Sequence, residues 1–143
     1  LATHIWVAIT RARKLKSEEQ TTLSLPVDCR GRLVPPLPKS YFGNAIHLIH
    51  MTTTVGELLN NSNIITTVNL LHENIEAAQR DERIRSKIEE WMENPNLTSV
   101  QGIANHILIG SSPRFPVYVS DFGFGPPMCV RSGRGNKYDG KVT

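Results

Sequence analysis

Ala45-Ile-His-Leu-Ile-His-Met51 decides how this chain is read. Ile46, Leu48 and His50 fall on one face of an extended strand, and Ala45, His47, Ile49 and Met51 on the other. Both faces are largely apolar, so the pattern predicts a strand over 44–53 that is buried on both sides. Downstream, Ile64, Val68, Leu71, Ile75 and Ala78 recur at alternating spacings of four and three, which predicts a long helix with one apolar stripe, capped by Ser62. Asp81 caps a second helix whose Ile84, Ile88 and Trp91 point inward and which Asn94-Pro95 closes. Upstream, 3–14 reads as a helix with Ile5, Trp6 and Ile9 on its apolar face and a basic end, Arg11-Ala-Arg-Lys14, suited to the helix dipole. Residues 21–27 read as a strand. Pro35-Pro-Leu-Pro38 makes the next stretch an ordered, extended connection.

Beyond the helices, 105–111 and 114–119 read as extended, Phe122 to Pro127 as a Gly/Pro-rich turn, and 128–131 as a short strand before a 132–136 loop. Asp139-Gly140 is a two-residue hairpin signal of type I′, and the sequence stops where its second strand should begin. With no Met ahead of Leu1 and a helix already under way, both ends read as cut, giving an internal fragment or truncated product of a larger protein. Mixed strands and helices predict an α/β or α+β layer fold.

Composition narrows the function classes. The 143 residues are 39% hydrophobic, enough for a core, and no apolar run reaches the roughly 20 residues of a membrane span. No signal peptide is readable. Cys29 and Cys129 are too few for a disulfide framework and read as free thiols. A net charge of +3 permits an anionic partner without demanding one. There is no P-loop, GxSxG or dinucleotide fingerprint. His47 and His50 point to opposite strand faces, and His72-Glu73-x-x-Glu76 lacks the second His of a zinc protease, so no metal site is expected. Arg131, Arg134, Lys137 and Lys141 read as a solvated glycine-rich loop before a phosphate site, and no nucleic-acid motif accompanies them.

Tyr41-Phe-Gly-Asn44 after Pro35-Pro-Leu-Pro38, with Asp121-Phe-Gly-Phe-Gly125 far downstream, resembles the plant acyl-CoA-dependent BAHD acyltransferases. His4-Ile-Trp6, Val27-Asp-Cys-Arg30 and Ser111-Ser-Pro-Arg-Phe115 fit the same family in order and distance, over nearly all of the chain. Val130-Arg-Ser-Gly133 and Asn136-Lys-x-Asp-Gly140 bring it nearest to an uncharacterised acetyltransferase-like subgroup. The resemblance implies an incomplete lobe of a chloramphenicol-acetyltransferase-like, CoA-dependent acyltransferase fold, a mixed sheet with flanking helices. Residues 1–143 are then a partial C-terminal lobe, without the N-terminal lobe and the final strands.

The implied reaction moves an acyl group from a coenzyme A thioester to an alcohol or amine, in the cytoplasm, in plant specialised or surface-lipid metabolism. Acyl-CoA is a co-substrate and no cofactor is held permanently. Partners are acyl-CoA, a small alcohol or amine acceptor and the missing N-terminal lobe, with no nucleic acid and no membrane span. The family's general base is a His in an HxxxD motif. Here the five histidines, His4, His47, His50, His72 and His106, are followed four positions later by Ala8, Met51, Thr54, Glu76 and Gly110. The isolated chain is therefore expected to be inactive, and the alternative reading is a truncated or interaction-only relative.

For Asp121 the resemblance leaves a catalytic and a structural role, and the structural one is favoured, with Arg30 as its partner. Gly123 and Gly125 look like requirements of a sharp turn. Phe122 completes the motif, and Phe124 stands where the family usually has Trp. Tyr41, Gly43 and Asn44 belong to the structural set, while Ser111, Ser112 and Arg131 are the implied coenzyme A contacts. Ala45 in place of Cys, and Ser112 and Gln101 in place of a Trp and an Arg, point away from malonyl-anthocyanin and shikimate chemistry toward an uncharged acceptor.

Overall fold

The computed structural model describes residues 1–60, 64–95, 105–110, 116–131, 133 and 138–142. In chain order these form α1 (Ala2–Ala12), β1 (Gln20–Asp28), β2 (Ile46–Thr54), α2 (Val55–Leu59), α3 (Ile64–Ala78), α4 (Asp81–Glu93), β3 (His106–Ile109), a 3-10 turn (Val117–Val119) and β4 (Lys141–Val142). The strands make one mixed sheet in the order β2-β1-β3-β4. β1 is antiparallel to β2 and parallel to β3, and β3 is parallel to β4.

The sheet is one-sided among the described residues. Leu23, Met51 and Ile107 from three strands meet Trp6 and Val7 of α1, Leu58 of α2 and Leu71 of α3 in the main core. A second cluster joins Val27 and Ile49 to Ala78 at the end of α3. The opposite face carries Thr22, Ser24, His50 and Thr52, and Thr22 and Thr52 share a 2.8 Å hydroxyl hydrogen bond across the β1–β2 pair. Two-sided burial of the His-rich strand is thus corrected. Ile49 and Met51 are buried, whereas Ile46, His50 and Thr52 are exposed. An antiparallel strand at the end of the described sheet needs only one apolar face.

α1 also differs from its apolar pattern. Its buried stripe is Thr3, Trp6, Val7 and Thr10, with Ile5 and Ile9 at the margins. Threonines reach the core because their hydroxyls are satisfied: Thr10 Oγ1 lies 3.3 Å from Thr21 Oγ1, to which Trp6 Nε1 donates at 3.0 Å. Lys14, at φ +53°, takes the left-handed conformation that ends many helices. α2 follows from Thr54-Val-Gly-Glu57, a reciprocal capping box: Thr54 Oγ1 accepts from Glu57 N–H, and Glu57 Oε2 accepts from Thr54 N–H.

The long helices form as the periodicity predicts, but they bury less. Leu71, Ala78 and Ile84 are inside, while Val68, Ile88 and Trp91 are about half exposed. Ser62 lies outside the described residues. Asp81 is the first residue of α4, not its cap; Arg80 holds that position. The Asp81 carboxylate instead accepts from Val34 N–H and Arg85 Nε, both at 2.8 Å, and Arg85 Nη2 donates to Val34 O. This straps α4 to the proline-rich connection.

Three further expectations are corrected. Val117–Val119 is a 3-10 turn rather than extended chain. Residues 128–131 form no strand, with Met128 fully exposed. Asp139-Gly140 does make a turn, closed by Lys141 N–H to Tyr138 O at 3.1 Å, but no hairpin follows: Lys141–Val142 pairs in parallel with β3. Only Gly140 has positive φ, +87°, whereas a type I′ turn would need it at Asp139 too.

Candidate active-site face

The Asp28-Cys-Arg30 segment and the Tyr41–Asn44 stretch are brought together by one side chain. Arg30 Nη1 donates to Asp28 Oδ1 at 3.0 Å, the Arg30 amide donates to the same oxygen at 3.2 Å, and Arg30 Nη2 donates to Gly43 O. The Arg30 amide, followed by its guanidinium, holds the Asp28 carboxyl below the usual range despite partial burial. Tyr41 folds over Gly43, and its hydroxyl donates to Asn44 O at 3.4 Å. A Cβ at Gly43 would lie 2.8 Å from that hydroxyl oxygen, so a larger residue would displace the Tyr41 ring. Ala45 O accepts from Cys29 N–H at 2.8 Å, extending the link into β1. The Cys29 thiol is buried, and burial pushes its pKa up.

Asp121 is not paired with Arg30, contrary to the expectation. Its Oδ1 accepts from the amides of Gly123 at 2.7 Å and Gly125 at 3.0 Å, and both glycines have positive φ, +96° and +87°. The reason is proximity in sequence: each charged group satisfies itself locally, Arg30 on a carboxylate two residues away and Asp121 on amides two and four residues ahead. Phe122 and Phe124 project almost fully into solvent, as does Phe42. Ser111, Ser112 and Gln101 lie outside the described residues. Arg131 is exposed and makes no hydrogen bond or ion pair among the described residues, and Lys141 lies 5.9 Å from the Tyr138 ring centroid.

The Asp121 loop gives a direct expectation. Asp121→Asn keeps an oxygen able to accept both glycine amides and should change loop order little. Asp121→Ala removes it, at a cost of about 1–2 kcal/mol to the loop conformation. Amide exchange at Gly123 and Gly125 reads this; equal exchange in the two variants would contradict it.

A polar chain on the open sheet face was not visible in the sequence. Ser24 Oγ lies 2.6 Å from His50 Nδ1 and 2.7 Å from His106 Nε2. No local spacing announces it, because it depends on the registers of β1 with β2 and β3. No group of three His, Cys, Asp or Glu side chains is gathered for a metal among the described residues. No described helix is long and apolar enough to cross a membrane.

A mixed sheet with helices over one face has counterparts among solved structures. TRI101 of F. graminearum, crystallised with coenzyme A and T-2 mycotoxin, superposes with a TM-score of 0.78 at 21% identity, over 98% of this chain and 33% of that one. Vinorine synthase gives 0.56 at 21% identity, over 87% and 29%. The fold is therefore the one found in about a third of each of these two proteins.

The profile described as "Transferase family" matches residues 1–143, and the chain belongs to this family, that of the BAHD acyltransferases. BAHD acyltransferase DCR of Arabidopsis thaliana is 40% identical over 99% of the chain and 29% of its own length. An uncharacterised acetyltransferase of the same plant is 36% identical over 100% and 33%. Anthranilate N-benzoyltransferase protein 1 of Dianthus caryophyllus is 33% identical over 89% and 30%. The chain spans about a third of the length of these relatives.

Proposed function

We propose that the protein to which this chain belongs transfers an acyl group from a coenzyme A thioester to an uncharged alcohol or amine. The whole-length family match carries the reading, and the acyltransferase names of the relatives support it. In this reading residues 1–143 are part of the C-terminal lobe, and the general base is an HxxxD histidine elsewhere in the polypeptide. That imidazole takes the proton of the acceptor as its oxygen or nitrogen attacks the thioester carbonyl. The C–S bond breaks, and coenzyme A leaves as thiolate. Such proton removal contributes about 10²–10⁴ in rate.

Phe42, Phe122 and Phe124 support a further part of the proposal: three bare aromatic rings on two loops are apolar surface for the rest of the polypeptide to cover. Ser111, Ser112 and Arg131 are proposed as contacts to the pantetheine amides and a nucleotide phosphate. The setting proposed is plant specialised or surface-lipid metabolism in the cytoplasm, which relatives from Arabidopsis thaliana and Dianthus caryophyllus support as to plants.

The test is thiol release by the full-length protein with acyl-CoA and a panel of alcohols and amines. Acceptor-dependent release is expected, lost when the HxxxD histidine becomes Ala and absent from residues 1–143 alone. Arg131→Ala should raise the apparent acyl-CoA constant several-fold and leave the acceptor constant unchanged. No release with an intact HxxxD motif would favour the interaction-only reading.

A further inference from the structure

The central strand of the sheet is fastened to both neighbours by one hydroxyl. Ser24, on β1, has no exposed surface and stands between His50 of β2 and His106 of β3. His50 reaches the open face, whereas His106 is 6% exposed and its Nδ1 is buried with no hydrogen-bond partner. The two rings are 6.4 Å apart. β3 has only four residues, and its pairing with β1 covers three. The side-chain tie adds to this pairing, to the pairing with β4 and to the packing of Ile107 in the main core.

We propose that His50–Ser24–His106 is an acid-sensitive latch, which closes β2, β1 and β3 together when both imidazoles are neutral and releases β3 when either takes a proton. The hydrogen count carries this. A serine hydroxyl has one proton to give. Between two neutral imidazoles it is fully used: His106 Nε2–H donates to Ser24 Oγ, and the Ser24 hydroxyl donates to His50 Nδ1. His106 Nδ1 is then a bare lone pair, the less costly kind of unpaired buried group. Protonating His50 puts an N–H where the serine O–H points, so two donors face each other and the serine proton has no acceptor in a place closed to water. Protonating His106 gives its buried Nδ1 a proton with no acceptor. Each event leaves a buried donor unpaired, which is costly.

The surrounding charges add to the effect. Arg13 at the end of α1 donates to His106 O, and the positive charge of Lys87 on α4 acts through space on His50 as it does on His47. Both cations are themselves ion-paired, Arg13 with Asp139 at 2.8 Å and Lys87 with Glu90, so their push is secondary to burial. Burial first pushes both histidines below the ordinary range, followed by Lys87 for His50, and by His50 and then Arg13 for His106. An imidazole depressed in the closed sheet binds its proton more readily once the sheet opens. The latch is thus fully closed above about pH 6.5, the value of a free histidine, and weakens as pH falls below it.

Hydrogen exchange of the full-length protein between pH 5 and 8, corrected for intrinsic rates, tests this without reference to acyl transfer. The opening constant of the segment 105–110 should rise below pH 6.5 by up to about tenfold per pH unit for each imidazole, with the α2 segment unchanged. His50→Gln with His106→Gln keeps polar groups that do not titrate and should abolish the rise. Ser24→Ala should raise opening even at pH 8. Where the double variant fails to fold, His50→Gln alone, at an exposed ring, should reduce the slope by about half. A flat profile in the unsubstituted protein, or an undiminished slope in the variants, overturns the latch.

Discussion

Gly140→Ala is expected to detach β4 from β3. Gly140 has φ +87°, a conformation that side chains rarely adopt, and a Cβ there would collide with the carbonyl oxygen of His106 and approach Arg13 Nη2 to 2.8 Å. The strain of such a φ is about 1–3 kcal/mol, and forced overpacking adds about 1–3 kcal/mol. The collision cannot be relieved by a rotamer change, because the oxygen belongs to the backbone of β3. Two 2.8 Å bonds depend on this approach, Leu108 N–H to Gly140 O and Gly110 N–H to Val142 O. Exchange at the amides of Leu108 and Gly110 should accelerate by a factor on the order of 10² or more, following those energies. Gly123→Ala is the control: the same kind of φ, +96°, but open space for the Cβ, so strain alone remains. Equal effects at the two positions would show that the collision with β3 contributes nothing.

The turn at Asp139-Gly140 also shows what a sequence does and does not reveal. A glycine after Asp marks a reversal, but hairpin and parallel return begin with the same two letters. The choice was made by Arg13, 126 positions away, which pairs with Asp139 and with His106 O and draws the turn onto β3. The Arg30 case runs the other way. A distant partner was expected from family resemblance, and a carboxylate two residues away took the guanidinium. Periodicity located α3 and α4 because their spacing is local, yet it overstated their burial at Val68, Ile88 and Trp91, which stay about half exposed. α2 was missed in the sequence, although Thr54-Val-Gly-Glu57 carries its local signal, a capping box. The Ser24 chain was not legible at all, since Ser24 and His106 are 82 positions apart.

Trp6→Ala should be among the most destabilising single substitutions in the chain. Trp6 is 1% exposed and belongs to the main core, so truncation removes its contacts and leaves a cavity, at about 3–5 kcal/mol. Part of the loss is polar. Trp6 Nε1 donates to Thr21 Oγ1 at 3.0 Å, and Thr21 in turn donates to Asn105 O at 3.2 Å, so the indole N–H anchors a hydroxyl that ties β1 to the residue before β3. Trp6→Phe separates the two contributions. It retains most of the ring volume and loses the N–H, so about 1–2 kcal/mol is expected. Thr21→Val removes the acceptor without changing shape. If the bond is the coupling, Trp6→Phe and Thr21→Val together should cost less than the sum of the two alone, by an amount on the order of 0.5–1.5 kcal/mol. Thermal melts of the full-length protein and its three variants close the cycle. Strict additivity would mean that the indole acts through volume alone. Equal losses for Trp6→Phe and Trp6→Ala would mean that the hydrogen bond, rather than the filled space, holds α1 against the sheet.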